Sequence, residues 1–295
     1  MRIFITGATG FIGSHLIPLL SQHTLLLLSR KQEHSAQQNV SFVQADLSER
    51  EKWEKRLFDF APDACIHLAW KGLPDYSLEA CLENFDLSAR LFESLGTLGC
   101  KKVFSAGTCW EYGAIEGLAK ENHVPAGLSR FAAFKTALRI VGESLSQEKS
   151  FDLIWGRIFF VYGPGQRESS LIPTCYSSFL KGREPAVKNP RAACDFVYVC
   201  DVALAIKALI ETEGLRGIFN IGSGKLTPVS SVCECVAAVL GCRGNDGINK
   251  ESGDKCGFWA DITALTVKTG WKPLMPLEKG IEETIRELRK TNASH

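Results

Sequence analysis

The segment "ITGATGFIGSHL", residues 5–16, sets Gly7, Gly10 and Gly13 three positions apart. It follows a short apolar run and opens a helical pattern. Glycines at that spacing let the chain turn tightly and bring its main chain close to a pyrophosphate. The helix start then offers unpaired N–H groups and the positive end of a dipole. A glycine pattern alone is weak evidence, and its place between a strand and a helix is what makes it a dinucleotide candidate. A second chemical choice lies at the end of the next apolar run, "LLLLSRKQ", which presents Ser29, Arg30 and Lys31 with no acidic residue nearby. A carboxylate there bonds the adenosine ribose and selects NAD, whereas a cation pairs with a 2′-phosphate. The expectation is therefore NADP rather than NAD, with solvated loop cations as the competing reading. Asp46 and Leu47, in "QADLSE", are then placed beside the adenine.

Six short β-type runs must position these groups: residues 2–6, 24–29, 40–44, 64–69, 102–107 and 152–158. Between the fourth and fifth, Leu78, Cys81, Leu82, Phe85, Phe92 and Leu95 recur at helical spacing. A second long helix fits 129–148, with Phe131, Phe134, Leu138, Val141 and Leu145 on one stripe. Strand–helix alternation predicts an α/β fold, a Rossmann-type doubly wound parallel sheet covered on both faces. Both stripes either only cover the sheet or also pair with their copies in a homodimer. After residue 160 the texture changes to Gly/Pro loops and shorter elements. Residues 1–160 are assigned to a dinucleotide-binding lobe, with strand returns near 196–222. Residues 161–295 are assigned mainly to a smaller, interwoven substrate lobe. Thr227 is expected to cap a helix with Pro228 at its first position, and the terminal "TNASH" is expected to fray.

The bulk properties exclude several classes. The 295 residues carry 34 basic and 33 acidic side chains, a net charge of +1, which gives no electrostatic reason to expect nucleic acid or an anionic membrane. Pro18, Ser21, Gln22 and His23 break the one long apolar stretch, so no membrane span is expected. A cytoplasmic location is the default. The eleven cysteines lack a CxxC pair. Cys233 and Cys235, two apart on a helix, point to different faces, so no metal site is expected.

Across nearly its whole length the chain resembles the extended short-chain dehydrogenase/reductases, the nucleotide-sugar epimerases, dehydratases and 4-ketoreductases. The resemblance is carried by "GATGFIG", "DL" at 46–47, "HLAW" at 67–70, Asn84, "SAGTCWEYG" at 105–113, "RIFFVYGPGQ" at 157–166, "DFVYVCDVA" at 195–203, "FNIGSG" at 219–224 and "GWKP" at 270–273. It implies a nicotinamide cofactor held by Gly7, Thr9, Gly10, Phe11, Ile12, Gly13, Ser29, Arg30, Asp46, Leu47, Leu68, Ala69, Ala106, Lys135 and Phe159. It implies a nucleotide diphosphate-sugar as substrate, with Trp70, Thr108, Phe160, Arg167 and Arg191 as candidate contacts. Packing or plain surface charge is the alternative for Trp70, Lys71 and the two arginines. The family's mechanism implies a hydroxyl at Thr108, a lysine at Lys135 and a tyrosine four residues before that lysine. The tyrosine takes or gives a proton while a hydride moves to or from the nicotinamide.

Here the tyrosine's place falls on Phe131, which packs similarly but transfers no proton. The family's usual arginine before the Asp-Phe pair is Cys194. Three explanations of Phe131 stay open: an engineered change, replacement by another acid (Cys109, Glu111 or Tyr112), or a catalytically silent NADP-binding protein. Cys109-Trp110 after Thr108, where dehydratases resemble one another in carrying Asp-Glu, disfavours a dehydratase. Consumption of NADPH tilts the remaining choice to reduction of a 4-keto-(6-deoxy)sugar over 4-epimerisation.

Overall fold

In the computed structural model, which describes residues 1–31, 37–187, 192–242 and 256–293, the apolar residues of successive strands alternate between two cores. Ile3 and Ile5 of β1 (Arg2–Thr6) face one side, and Phe4 faces the other. This two-residue period is what an extended strand buried on both faces requires. The chain continues through α1 (Phe11–Leu16), β2 (Thr24–Ser29), β3 (Val40–Gln44), α2 (Arg50–Phe60), β4 (Ala64–His67), α3 (Leu78–Thr97) and β5 (Lys102–Thr108). It then forms β6 (Gly117–Ala119), α4 (Arg130–Lys149), β7 (Asp152–Ile158), β8 (Phe160–Tyr162), α5 (Leu171–Leu180), β9 (Ala192–Cys194) and β10 (Phe196–Tyr198). The last elements are α6 (Val199–Glu211), β11 (Gly217–Ile221), β12 (Thr227–Pro228), α7 (Val229–Leu240), β13 (Cys256–Ala260), α8 (Thr263–Thr269) and α9 (Leu277–Ala293).

Seven strands form one sheet in the order β11-β7-β5-β4-β1-β2-β3, all parallel. Strand order reverses at β1, so a crevice opens between the carboxyl ends of β1 and β4, where doubly wound sheets hold ligands. Helices α2, α3 and α4 cover one face through Trp53, Phe92 and Leu138, and α1 and α6 cover the other through Leu16 and Ile206. The fold is therefore the expected Rossmann-type α/β sheet. Interweaving runs both ways. β11 returns to the central sheet, while β6 leaves the first half to pair with β13 in a four-stranded sheet, β12-β9-β13-β6. A third core joins α5, α7 and α9 through Cys175, Val232 and Ile281. No helix among the described residues is long and apolar enough to cross a membrane.

Three local expectations are corrected. Thr227 does not cap α7: it and Pro228 pair with β9, and Pro228 itself is the N-cap, without a side-chain bond. Of the terminal segment expected to fray, residues 291–293 continue α9 instead, and residues 294–295 lie outside the described residues. The fourth strand ends at His67, two residues early, because Leu68 and Ala69 turn across the glycine loop. Their N–H groups donate to the Thr6 carbonyl at 3.1 Å and the Thr6 Oγ1 at 3.4 Å.

Candidate functional site

A cleft of about 670 Å³ runs along the carboxyl ends of the central strands, a size typical of small-molecule sites, roughly 300–1,000 Å³. Its floor is the glycine loop. Gly7 has φ +74°, and a Cβ there would stand 2.8 Å from the Ala69 nitrogen. A Cβ on Gly13 would stand 2.3 Å from the Gly7 carbonyl oxygen. The turn is therefore closed so tightly that only hydrogen atoms fit. Gly10 caps α1 with no side-chain acceptor, leaving the first-turn N–H groups without the partners a helix start lacks by geometry. Thr9, Phe11 and Ile12 complete this wall of the cleft. A bound anionic dinucleotide fits such a cradle, since the closed turn keeps side chains away and the exposed donors suit phosphate oxygens.

Ser29, Arg30, Asp46 and Leu47 line the outer end of the cleft. Arg30 is exposed at its rim, and the positive charges of Arg30 and Lys71 both act on Asp46. The Asp46 carboxylate is held below its usual pKa by hydrogen bonds from Ser48 and by those two cations, against the opposing effect of burial. Leu68, Ala69, Ala106, Phe159 and Phe160 line the middle, and Arg167 lines the far end. Lys71 is committed to an ion pair with Glu83 on α3 at 2.7 Å. Arg191 lies outside the described residues. Cys194 sits in β9 and does not line the cleft; burial pushes its thiol up to about 11.

Thr108, Phe131 and Lys135 all reach the cleft. Ser129 caps α4 by accepting from the Ala132 N–H at 3.4 Å, which sets Phe131 and Lys135 one turn apart on a single helix face. Lys135 Nζ donates to the Ala106 carbonyl at 2.8 Å and lies 4.0 Å from the centroid of the Trp70 ring. Burial lowers its pKa to about 7, against an upward pull from Glu111. The Trp70 ring meets Phe131 edge-on at 5.3 Å, and its buried indole N–H has no acceptor among the described residues. Below the floor, His67 is wedged between Thr6 Oγ1 at 2.7 Å and Ser88 Oγ at 2.9 Å. Burial and the Lys135 charge depress its pKa to about 3, so it is neutral and structural.

Of the three replacement acids considered from sequence, Glu111 and Tyr112 do not line the cleft, and Cys109 lines it but is almost fully buried. Glu111 is fully buried, accepts from Trp155 Nε1 at 2.9 Å and from the Thr108 N–H at 2.8 Å, and pairs with Arg157 at 3.3 Å. Tyr112 donates its hydroxyl to Asn220 at 2.7 Å, and burial raises its pKa to about 12. Burial drives the Cys109 thiol well above its ordinary range. Other motif residues are likewise structural ties. Asp195 accepts from Ser223, Gly224 and Ala260 N–H groups at 2.6, 2.9 and 3.0 Å. Trp271 donates to the Asp201 carbonyl at 3.0 Å.

Two cleft aromatics are not marked by sequence spacing. Tyr76 comes from the loop between β4 and α3, and Trp110 from the turn after β5. Their ring centroids lie 5.0 and 5.9 Å from that of Phe131. Trp110 carries a signal through its motif, two residues after Thr108. Tyr76 carries none.

The model of the NAD dependent epimerase/dehydratase family matches residues 3–222. The chain is 28% identical to the dTDP-4-dehydro-6-deoxyglucose reductase of Escherichia coli, over 97% of each chain. It is also 28% identical to a putative UDP-glucose 4-epimerase of Methanocaldococcus jannaschii, over 98% of this chain and 99% of that one. Among solved structures, the Thermus thermophilus UDP-glucose 4-epimerase in complex with NAD superposes with a TM-score of 0.82 at 25% identity, over 98% of this chain and 99% of that one. The Thermotoga maritima UDP-glucose 4-epimerase with UDP-glucose reaches 0.86 at 24% identity, over 99% and 100%.

Proposed function

We propose that this chain, which belongs to the NAD-dependent epimerase/dehydratase family, is an NADP-dependent oxidoreductase of nucleotide diphosphate-sugars that reduces a 4-keto-(6-deoxy)sugar. The observation that carries the reading is a single continuous cleft. It joins the glycine cradle and Arg30 at one end to Thr108, Phe131 and Lys135 at the other. The resemblance to a dTDP-4-dehydro-6-deoxyglucose reductase over nearly the whole chain supports the reaction class. When bound, the dinucleotide supplies a hydride to the sugar carbon. The chain's own residues do the rest. Gly7, Gly10 and Gly13 seat the pyrophosphate, Arg30 and Ser29 hold the 2′-phosphate, and Asp46 borders the adenine. Lys135 holds the nicotinamide ribose, Thr108 bonds the reacting oxygen, and Phe131 occupies the family tyrosine's place. Trp70, Phe160 and Arg167 flank the sugar nucleotide.

The division at residue 160 belongs to this proposal, supported by β8 leaving the central sheet there. A homodimer is also part of it, supported by Leu82 of α3 and Ile140 of α4, which stay about half exposed on long neighbouring helices. A second reading, 4-epimerisation with retained NAD, is favoured by the likeness to the Thermus enzyme complexed with NAD. Titration of NADPH and NADH separates the two. NADPH is expected to bind at least about tenfold tighter, a difference of roughly 1.4 kcal/mol. The wild-type chain and Phe131→Tyr are then assayed for NADPH oxidation with nucleotide-linked 4-keto-6-deoxysugars. Tight NADPH binding without oxidation by either chain would leave a silent NADP-binding protein.

A further inference from the structure

Resting on that reading, the reaction lacks a ready proton source: Phe131 has none, the polar atoms of Glu111 and Tyr112 are bonded in the core, and the thiol of Cys109, at the cleft wall, is driven well above its ordinary range by burial. Four of the five tyrosines, Tyr112, Tyr162, Tyr176 and Tyr198, are buried away from the cleft. Tyr76 alone among them lines it, half-buried. Its ring lies 5.0 Å from Phe131 and 5.6 Å from Trp110, and its hydroxyl makes no hydrogen bond to any described residue. We propose that Tyr76 is the catalytic acid–base of this site, delivering from the loop before α3 the phenol that position 131 lacks.

The loop that carries Tyr76 is held at three points. Asn84 accepts from the Lys71 N–H at 2.6 Å and donates to the Lys71 carbonyl at 3.0 Å. Ser77 caps α3 by accepting from the Ala80 N–H at 3.2 Å. Arg130, the residue before Phe131, donates to the Tyr76 carbonyl at 3.2 Å. The last bond ties the main chain of Tyr76 to the helix whose second residue is Phe131. The Tyr76 ring therefore lies beside that of Phe131 without sharing its helix, and it is braced by contacts with Phe131 and Trp110.

The chemistry balances. As the substrate carbonyl becomes a secondary alcohol, its carbon gains the hydride that the reduced dinucleotide gives up. The O–H bond of Tyr76 breaks as a new O–H bond forms on the substrate oxygen. The phenolate recovers its proton from water at the open side of the loop. In the oxidising direction each transfer reverses. Thr108 stays a hydrogen-bond partner throughout, because an alkyl hydroxyl is too weak an acid to replace a phenol with a pKa of about 10.

The test compares wild type, Tyr76→Phe, Phe131→Tyr and the double variant. Dinucleotide affinity, by fluorescence titration, is expected to be equal in all four and controls for folding. Loss of dinucleotide binding by wild type itself would overturn the underlying reading instead. Tyr76→Phe is expected to lower kcat by about 10²–10⁴-fold, the usual worth of a general acid. Adding Phe131→Tyr to it should restore at least about tenfold of that loss. A Tyr76→Phe chain within about threefold of wild type would overturn the assignment and leave the reductase reading standing. A readout that needs no turnover is the affinity of the oxidised-dinucleotide complex for UDP- and dTDP-hexoses against their 4-deoxy counterparts. Wild type should prefer the hydroxylated sugar, and Tyr76→Phe, which leaves the Thr108 bond in place, should reduce that preference by about fivefold, the worth of one hydrogen bond. Equal preference in both chains overturns the assignment.

Discussion

At the end of the cleft proposed to hold the dinucleotide, the wall is formed by main-chain atoms. The turn is closed so tightly at Gly7, against Leu68 and Ala69, and at Gly13, against Gly7 and Ala8, that side chains are excluded there. At the end proposed for the reaction, the wall is formed by side chains from separate segments: Trp70, Tyr76, Trp110, Phe131 and Lys135. The Thr108 N–H beside them is held by a buried charged pair, Glu111 with Arg157, whose side chains are 0% and 1% exposed. A main-chain cradle tolerates little change because its shape is the site. A side-chain cage can exchange one aromatic for another and keep its packing. That contrast explains how a phenylalanine stands at position 131 inside an otherwise intact cleft.

The contrast can be broken first at the support of the reaction end. Glu111→Ala leaves Arg157 buried without its carboxylate and frees the Thr108 N–H. Removing one partner of a buried ion pair costs about 3–5 kcal/mol, and urea unfolding should show a loss of that size. A loss below about 1 kcal/mol would mean that water or movement rescues the arginine. The dinucleotide end should yield next. In Gly13→Ala the new methyl collides with the Gly7 carbonyl, 2.3 Å from its ideal place. Affinity for either dinucleotide should fall about 100-fold, roughly 2.7 kcal/mol, by fluorescence titration.

Lys135 sharpens the comparison through pH. Its folded pKa, about 7, lies below the ordinary lysine value of 10.5. The unfolded chain therefore binds more protons between those values, and stability rises with pH across that window. The cost of burying the charge is full below pH 7 and relieved toward pH 10.5. Lys135→Met should accordingly raise the Tm of the unliganded protein most below pH 7, with the gain fading toward pH 10.5. Thermal scans across that range check it, with about 2–4 °C expected per kcal/mol for a chain approaching this size. The smallest effect is expected at the rim. Arg30→Ala should weaken NADPH about tenfold, roughly 1.4 kcal/mol, and leave NADH unchanged.

Legibility in the sequence follows the same division. The glycine loop and Arg30 are local features, so their spacing and flanking strands mark them in the sequence itself. The alternation of Leu25 to Leu28 between the two cores likewise belongs to a strand buried on both faces. Thr108, Lys135 and Trp70 are reached through family motifs, and all three line the cleft. Tyr76 is not legible, because its approach to Phe131 depends on a loop folding back onto a helix that begins 54 residues later. The roles of Glu111 and Tyr112 are equally hidden, since only the packing of β7 and β11 shows that their polar atoms are already spent. The cap expected at Thr227 fails because strand pairing with β9 takes the residue first.

The most direct test of the central claim is NADPH consumption by the wild-type chain with nucleotide-linked 4-keto-6-deoxysugars, followed by identification of the sugar formed. The expected result is one NADPH oxidised for each 4-hydroxy sugar produced, with NADH a poorer donor. NADPH bound tightly but left unconsumed with every such sugar would contradict it.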